Sequence, residues 1–266
     1  MEQWQDQAVI LSVRPHGESG AIVSVLTPDY GRRTGYVRGA FSKKNRGTLE
    51  VGSVVDAHWQ ARNTESLGAL SVELSRSTAA RIMHDALKLA ALQSACALCD
   101  QALPDNEGGK SLYHGFLALL DIFDGDVWEA GYIMWEIALL KELGFSLDLT
   151  RCAGGGDHTA LSYVSPKTGR AVSSDAGEPY KDKLLPLPKF LAPSGGGVDM
   201  QNIIQGIAMT QYFFEHWVFA HHNRGLPEAR YRLGLRFSEQ FAKTEGSSGC
   251  KKNKTEDLNR DIYASG

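Results

Sequence analysis

The strongest chemical signal in the sequence is a basic segment, from Tyr30 to Leu49, that contains no acidic residue. Its cationic and aromatic residues are Arg32, Arg33, Tyr36, Arg38, Phe41, Lys43, Lys44 and Arg46. Lysine and arginine neutralise nucleic-acid phosphates and release counterions, and aromatic rings stack on unpaired bases. The combination predicts a DNA-binding surface made of these eight residues. A solvated charged loop is the alternative interpretation.

A second group of basic residues lies near the C-terminus and consists of Arg224, Arg230, Arg232 and Arg236. Glu228 and Glu239 dilute its charge. We therefore interpret this group as the solvated face of a helix, and the sequence leaves open whether it contacts DNA.

Two cysteine motifs could bind a metal or carry redox chemistry. Cys96 and Cys99 form a Cys-x-x-Cys pair, but they share a helical stripe with neighbouring leucines, which favours core packing. Cys152 precedes three glycines as in a zinc knuckle, yet only His158 lies nearby as a second ligand. A structural zinc site needs four ligands, so the sequence predicts a metal-free loop and no cofactor.

No enzyme signature stands out. Gly109-Lys110-Ser111 ends like a phosphate-binding loop, but Pro104 occupies the position that requires glycine. The sequence contains neither a His-Glu-x-x-His motif nor a Gly-x-Ser-x-Gly nucleophile turn. We therefore expect a protein that is not an enzyme.

The composition narrows the class of protein. A net charge of −3 over 266 residues excludes a uniformly basic binder of the histone type. No apolar run reaches the roughly 18 residues of a membrane span, and the N-terminus lacks the pattern of a signal peptide. With only four cysteines, a disulfide scaffold is not expected. These features predict a cytoplasmic protein without membrane contact.

The sequence pattern changes from strands to helices near residue 78, and the basic segment lies in the part made of strands. Five short strands are expected before it, and alternation such as Val55, Ala57 and Trp59 gives each strand one buried face. This pattern predicts a small barrel over residues 1–78.

Helical periodicity begins at Ser77-Thr78 and predicts a helical domain over residues 79–244. Its first helix is expected to run from Ser77-Thr78 to Leu103. The later helices are expected at Leu112–Ile122, Trp128–Leu143, Ile203–His221 and Leu226–Phe241. Thr150–Pro188 interrupts the helical pattern, and the polar tail 245–266 is expected to be disordered.

Several short motifs are spread over roughly residues 1–240. They are Ala8-Val9-Ile10-Leu11, Gly17-Glu18-Ser19, Leu26-Thr27-Pro28 with Gly31, Arg38-Gly39-Ala40 with Ser42-Lys43-Lys44, Glu136–Gly144, Leu147-Asp148-Leu149 with Cys152, Tyr163–Pro166 with Gly169, and Leu226-Pro227 with Arg230. In their order and spacing, these motifs resemble the RecO family of DNA repair proteins.

The resemblance implies an α+β protein with an N-terminal OB-fold barrel and a helical domain carrying a zinc-finger-like insertion at about 150–190. It also implies a recombination mediator, associated with the nucleoid, that binds single- and double-stranded DNA and anneals complementary strands. The partners it implies are RecR and the C-terminal tail of single-strand DNA-binding protein, with RecA loaded indirectly. The alternative is an OB-fold adaptor that binds proteins and does not anneal DNA.

The sequence departs from the zinc-bearing members of that family. Those members carry two Cys-x-x-Cys pairs, whereas here only Cys152 matches. Gly155 stands at the second position, and no cysteine lies between Ser173 and Ala176. We therefore expect a degenerate insertion that binds no metal.

Overall fold

The computed structural model of the chain describes residues 2–63, 66–220 and 225–243. A closed five-stranded, OB-like barrel is followed by a helical domain that carries a small sheet. The predicted mixed α+β class is therefore confirmed. Among the described residues, no helix combines the length and apolar character that crossing a membrane requires.

The barrel contains strands β1 (Glu2–His16), β2 (Gly20–Thr27), β3 (Gly31–Val37), β4 (Val54–Ala61) and β5 (Gly68–Arg76). Their order around the barrel is β1-β2-β3-β5-β4. β3 and β5 pair in parallel. β1 is long enough to pair with β4 through its first half and with β2 through its second. A single helical turn, α1 (Lys43–Arg46), lies in the connection from β3 to β4.

Alternating apolar residues fill the barrel as the sequence predicts. Val55, Ala57 and Trp59 of β4 are buried and pack with residues of the other four strands. The Trp59 indole Nε1 donates a hydrogen bond to the Thr34 carbonyl oxygen at 3.1 Å. β3 and β4, which are separated by β5 in the barrel, are thereby joined through its interior.

The outer face of the barrel is continuous with the core of the helical domain. Val9, Leu11 and Leu26 point away from the barrel interior and belong to the buried cluster of the helices. The helices therefore cover an apolar patch on the outside of the barrel, while the barrel interior forms a separate core.

The turn before β3 touches a loop of the helical domain that contains Glu107 and Gly108. A Cβ atom on Gly31 would lie 1.9 Å from the Glu107 carbonyl oxygen, and one on Gly108 would lie 2.5 Å from that of Asp29. Lys110 Nζ also lies 3.0 Å from Asp29 Oδ1. Only glycine permits this approach of the two backbones.

The helical domain contains α2 (Thr78–Ile82), α3 (Ala86–Ala102), α4 (Lys110–Ile122), α5 (Trp128–Glu142), the short α6 (Ser174–Gly177), α7 (Met200–Phe213) and α8 (228–243). A π-helical turn, Phe214–Val218, extends α7. α5 buries residues around most of its circumference, among them Tyr132 and Trp135, which confirms its predicted central position. Gly144 follows it with a φ of 88°, as expected of a helix C-cap.

The first predicted helix is wrong in one respect, because the chain breaks it at Met83–Asp85. Ser77 caps α2, and the Asp85 carboxylate accepts hydrogen bonds from the backbone N–H groups of Leu87 and Lys88 to start α3. Asp85 thus supplies the N-cap of a new helix. Cys96 and Cys99 are fully buried on α3, which confirms that they pack in the core.

The segment between α5 and α7 forms a small three-stranded sheet. Its strands are β6 (Leu161–Val164), β7 (Ala171–Ser173) and β8 (Leu185–Pro186), in the order β7-β6-β8. This sheet explains the predicted interruption of the helices.

One prediction about the C-terminal basic group is wrong. Arg230 does not lie on a solvated face, because its side chain is fully buried against Glu136 of α5. Arg232 is exposed and pairs with Glu228 at 3.0 Å, and Arg236 donates to the Ala86 carbonyl oxygen. Arg224, the pair His221-His222 and the tail 245–266 lie outside the described residues.

Candidate nucleic-acid interface

Arg32 is engaged within the protein. Its Nη2 lies 2.9 Å from Asp105 Oδ1 and its Nη1 lies 3.6 Å from Asp100 Oδ1. Its Nε also donates to the Leu103 carbonyl oxygen at 2.9 Å. The side chain is only 15% exposed, so Arg32 joins the barrel to the end of α3 and does not present its charge to solvent.

Arg33 lies inside the end of the barrel. It pairs across the strands with Val25, whose side chain is in the barrel interior, and only 8% of Arg33 is exposed. Its guanidinium carbon lies 5.5 Å from the ring centroid of Trp59 and 6.0 Å from that of Tyr30. Burial and ring contacts therefore separate Arg33 from the other predicted DNA-binding residues.

The other predicted DNA-binding residues that the structure describes lie at or beyond the C-terminal end of β3. Tyr36 lies on the outer face of the strand, while Arg38, Phe41 and Lys43 are exposed in the segment that follows. Asn45 Nδ2 donates to the Gly39 carbonyl oxygen at 3.0 Å and holds this segment in a compact turn. Nothing is described of the side chains of Lys44 and Arg46.

Two residues of β1 join this surface, and our sequence reasoning missed them. The register places Arg14 opposite Ile22 and Ile22 opposite Tyr36, in one row across three strands. The His16 ring contacts Tyr36 edge-on, with centroids 6.1 Å apart. The spacing of Arg14 and His16 could have revealed them, because residues two apart on a strand lie on the same face.

We call the group Arg14, His16, Tyr36, Arg38, Phe41 and Lys43 the Tyr36 surface. Tyr36 lies directly over Gly20, where a Cβ atom would be 2.1 Å from the phenolic oxygen. Glycine is required there so that the ring can lie flat against β2. The exposed Glu18, in the turn between β1 and β2, is the acidic residue closest along the chain to Arg14 and His16.

The outer face of β4 and β5, next to Arg38, carries acidic residues. A groove of about 550 Å³ on β4 and β5 borders Arg38, but it also presents Asp56, His58 and Glu73. Asp56 and Glu73 are cross-strand partners, and their carboxylates would repel phosphates. A polyanion is therefore favoured on the β1–β3 side of Arg38.

In the insertion, Cys152 lies among backbone and hydroxyl groups of two neighbouring segments. Cys152 Sγ accepts a hydrogen bond from the backbone N–H of Ser173 at 3.2 Å, and as a thiol it donates to the Ser173 hydroxyl oxygen at 3.4 Å. Burial raises the pKa of this thiol, but hydrogen bonds from Ser173, Gly154 and Gly156 outweigh it and lower the pKa to about 7. Within the described ranges, no three His, Cys, Asp or Glu residues are grouped to hold a metal. A structural zinc ion needs four ligands, so the described residues around Cys152 do not fit one.

Comparison with known proteins points to one family over most of the chain. Residues 1–78 match the family described as Recombination protein O N terminal, and residues 83–216 match Recombination protein O C terminal. A DNA repair protein RecO from Rhodospirillum centenum is 47% identical over 250 residues, which cover 93% of this chain and 98% of that protein. Those from Rhodospirillum rubrum and Caulobacter vibrioides are 43% and 41% identical, over 88% and 89% of this chain and 95% and 98% of theirs.

Proposed function

The chain belongs to the RecO family of non-enzymatic DNA repair proteins, and we propose that it is a recombination mediator that binds single- and double-stranded DNA and anneals complementary strands. With RecR, it helps to load the RecA recombinase onto DNA coated by single-strand DNA-binding protein. The helical domain contacts the C-terminal tail of that coating protein. This activity takes place at the nucleoid, in the cytoplasm.

The observation that carries the proposal is the Tyr36 surface. The barrel is assigned as an OB fold, because its strand order and its parallel β3–β5 pair agree with a five-stranded Greek-key barrel. Such barrels bind oligonucleotides on the face of strands 2 and 3 and on adjacent loops. Tyr36 and Ile22 lie on that face here, and Arg14, Arg38 and Lys43 border it.

The annealing mechanism needs no covalent chemistry. The cations of the Tyr36 surface, with Lys44 and Arg46 of the same segment, neutralise backbone phosphates and release counterions. Two complementary strands then repel each other less when both are bound. Tyr36 and Phe41 provide rings on which unpaired bases stack, at roughly 1–3 kcal/mol per base. Arg32 is not part of this surface because it pairs with Asp105. Arg33 is not part of it because its side chain lies inside the end of the barrel.

The proposed domains are an OB-fold unit at 1–78 and a helical unit at 79–244, with a degenerate zinc-finger-like insertion at about 150–190 and a disordered tail at 245–266. In the insertion, Cys152 is the single remnant of a metal site and binds no zinc.

The test is the annealing of two complementary labelled oligonucleotides, with and without the protein, over a salt series and in the absence of ATP and added metal. We expect acceleration that fades as salt rises, because phosphate contacts release counterions. A variant with Arg38→Glu and Lys43→Glu should lose the acceleration, whereas Arg232→Glu, on an exposed face of α8, should keep it. If the protein accelerates nothing but still binds its protein partners, it is an adaptor and the basic segment is a solvated loop.

A further inference from the structure

A small pocket of about 240 Å³ opens beside the first half of β3, at Arg33 and Thr34. Tyr36 lies farther along the same strand. Besides the edge of Trp59, it is lined by Arg33, Thr34, Ser66, Leu67, Asp105 and Asn106. We call it the Arg33 pocket. Typical small-molecule sites measure roughly 300–1,000 Å³, so this pocket has room for one chemical group rather than for a complete cofactor.

Arg33 carries hydrogen-bonding capacity that the described part of the protein does not use. Its Nε is buried and has no hydrogen-bond partner there, and no described carboxylate lies within ion-pair distance of its guanidinium. The fully buried Arg230 shows the contrast, because its guanidinium bonds to Glu136, Thr210, Gln211 and the Ile207 carbonyl oxygen. A buried charge without acceptors is unfavourable, and the ring contacts of Arg33 offset only part of that.

The other side chains in the pocket determine which group suits it. Asp105 presents a carboxylate, of which Oδ1 pairs with Arg32, and this negative charge disfavours a phosphate. Asn106 and Ser66 add an amide and a hydroxyl, while Leu67 is 52% exposed and offers an apolar surface. Donors from Arg33 and acceptors from Asp105 and Asn106 suit a neutral, flat ring with both kinds of group on its edge.

We propose that the Arg33 pocket binds one unstacked nucleobase of the DNA strand that lies on the Tyr36 surface. Arg33 donates to the acceptors of the base, Asp105 and Asn106 accept from its amino or imino groups, and Leu67 contacts the ring. This assignment rests on the proposed function. The pocket lies on the path of the strand, because Thr34 is two residues from Tyr36 along β3, a distance of about 7 Å. Bases of single strands are commonly splayed out and bound at their edges in this way.

The first test follows the Nε–H resonance of Arg33 by NMR in the full-length protein. One probe is a short single-stranded oligonucleotide, and the other is an abasic strand with the same phosphates and no bases. We expect the resonance to shift with the base-bearing strand and not with the abasic strand. Equal shifts with both strands would mean that the pocket holds a phosphate, which overturns the assignment.

Variants separate the pocket from the Tyr36 surface. Arg33→Met should lower the affinity for the base-bearing strand about tenfold, as loss of one base contact predicts, and leave the affinity for the abasic strand unchanged. Arg232→Met, the same substitution at an exposed position, should change neither affinity. Asn106→Gly is a second variant that keeps the backbone, because Asn106 has a φ of 67° that glycine adopts freely. It should lower the affinity for the base-bearing strand several-fold.

The outcomes distinguish this inference from the proposed function. If the strand binds through Arg38 and Lys43 but neither Arg33→Met nor Asn106→Gly changes its affinity, Arg33 is a structural residue and the pocket assignment is wrong, while the proposed function stands. If no strand binds at all, both are wrong.

Discussion

Arg230 and Glu136 form an ion pair from which solvent is excluded on both sides. Arg230 Nε lies 2.6 Å from Glu136 Oε1, and Nη2 lies 3.0 Å from Oε2. The Thr210 hydroxyl also donates to Oε2. The pair therefore joins α8 to α5 and α7, and holds the last described helix of the chain against the bundle.

Replacement of Arg230 by methionine should lower the free energy of unfolding by about 3–5 kcal/mol, because it leaves a buried carboxylate without its partner. The measurement is urea denaturation followed by circular dichroism. Arg232→Met removes an exposed pair with Glu228 and should change stability by at most about 1 kcal/mol. Equal effects of the two substitutions would contradict the role assigned to Arg230.

The contact between Gly31 and Glu107 predicts a difference between two similar glycine substitutions. Gly31 and Gly39 have φ values of 64° and 62°, but the space around Gly39 is open whereas Gly31 faces the Glu107 carbonyl oxygen. Gly39→Ala should destabilise by about 1–2 kcal/mol through its left-handed backbone alone. Gly31→Ala should destabilise by more in thermal or urea unfolding, because the loop before α4 must also move away. A smaller loss for Gly31→Ala would show that this junction is not tight.

Charge reversal of Lys43 and Lys44 should weaken single-strand binding and flatten its dependence on salt. The slope of log affinity against log salt is negative, and each lost phosphate contact reduces its magnitude by about 0.7. The double variant should therefore reduce the magnitude by about 1.4. Filter binding over a salt series measures both quantities. Reversal of Lys141 and Lys183, which are exposed on the helical domain and the insertion, is the matched control. An unchanged slope in the Lys43 and Lys44 variant would remove these residues from the interface.

Cys152 should make stability depend on pH. Its pKa of about 7 in the folded protein is below the ordinary thiol value, so the unfolded chain holds the proton more tightly. Stability from the thiolate is complete above the ordinary pKa and is lost as pH falls through about 7. The difference in unfolding free energy between the native protein and Cys152→Ala should therefore grow from about pH 7 to about pH 9.

Ser173→Ala provides the control for this pH dependence, since it removes the hydroxyl, which accepts from the thiol and stabilises the thiolate, and keeps the backbone donor to Cys152. It should reduce the growth of that difference without abolishing it. A difference that stays constant over the same range would mean that Cys152 remains a neutral thiol.

Alternation and helical periodicity predict most elements, because buried faces repeat every two or 3.6 residues. The same rule, applied to single charged residues, would have shown that Arg33 and Arg230 are buried and not on exposed surfaces. Arg33 shares its strand face with Val37, and Arg230 shares its helix face with Leu233 and Phe237; all three apolar partners are buried.

Other features depend on distant parts of the chain, and no local pattern reveals them. The carboxylates that engage Arg32 come from α3 and the loop after it, 68 and 73 residues away. The row formed by Arg14, Ile22 and Tyr36 depends on the register of three strands. The break at Met83–Asp85 was missed because the apolar stripe continues across it, although Asp85 is a good N-cap residue.

The apolar contact between the barrel and the helices determines how the protein can be divided for experiments. A fragment ending at residue 78 would expose Val9, Leu11 and Leu26, which the helices cover in the complete chain. Contiguous apolar surface of that kind favours aggregation, so the isolated barrel would give misleading binding data. Assignment of DNA affinity to one unit is therefore better made by point substitutions in the full-length protein than by truncation.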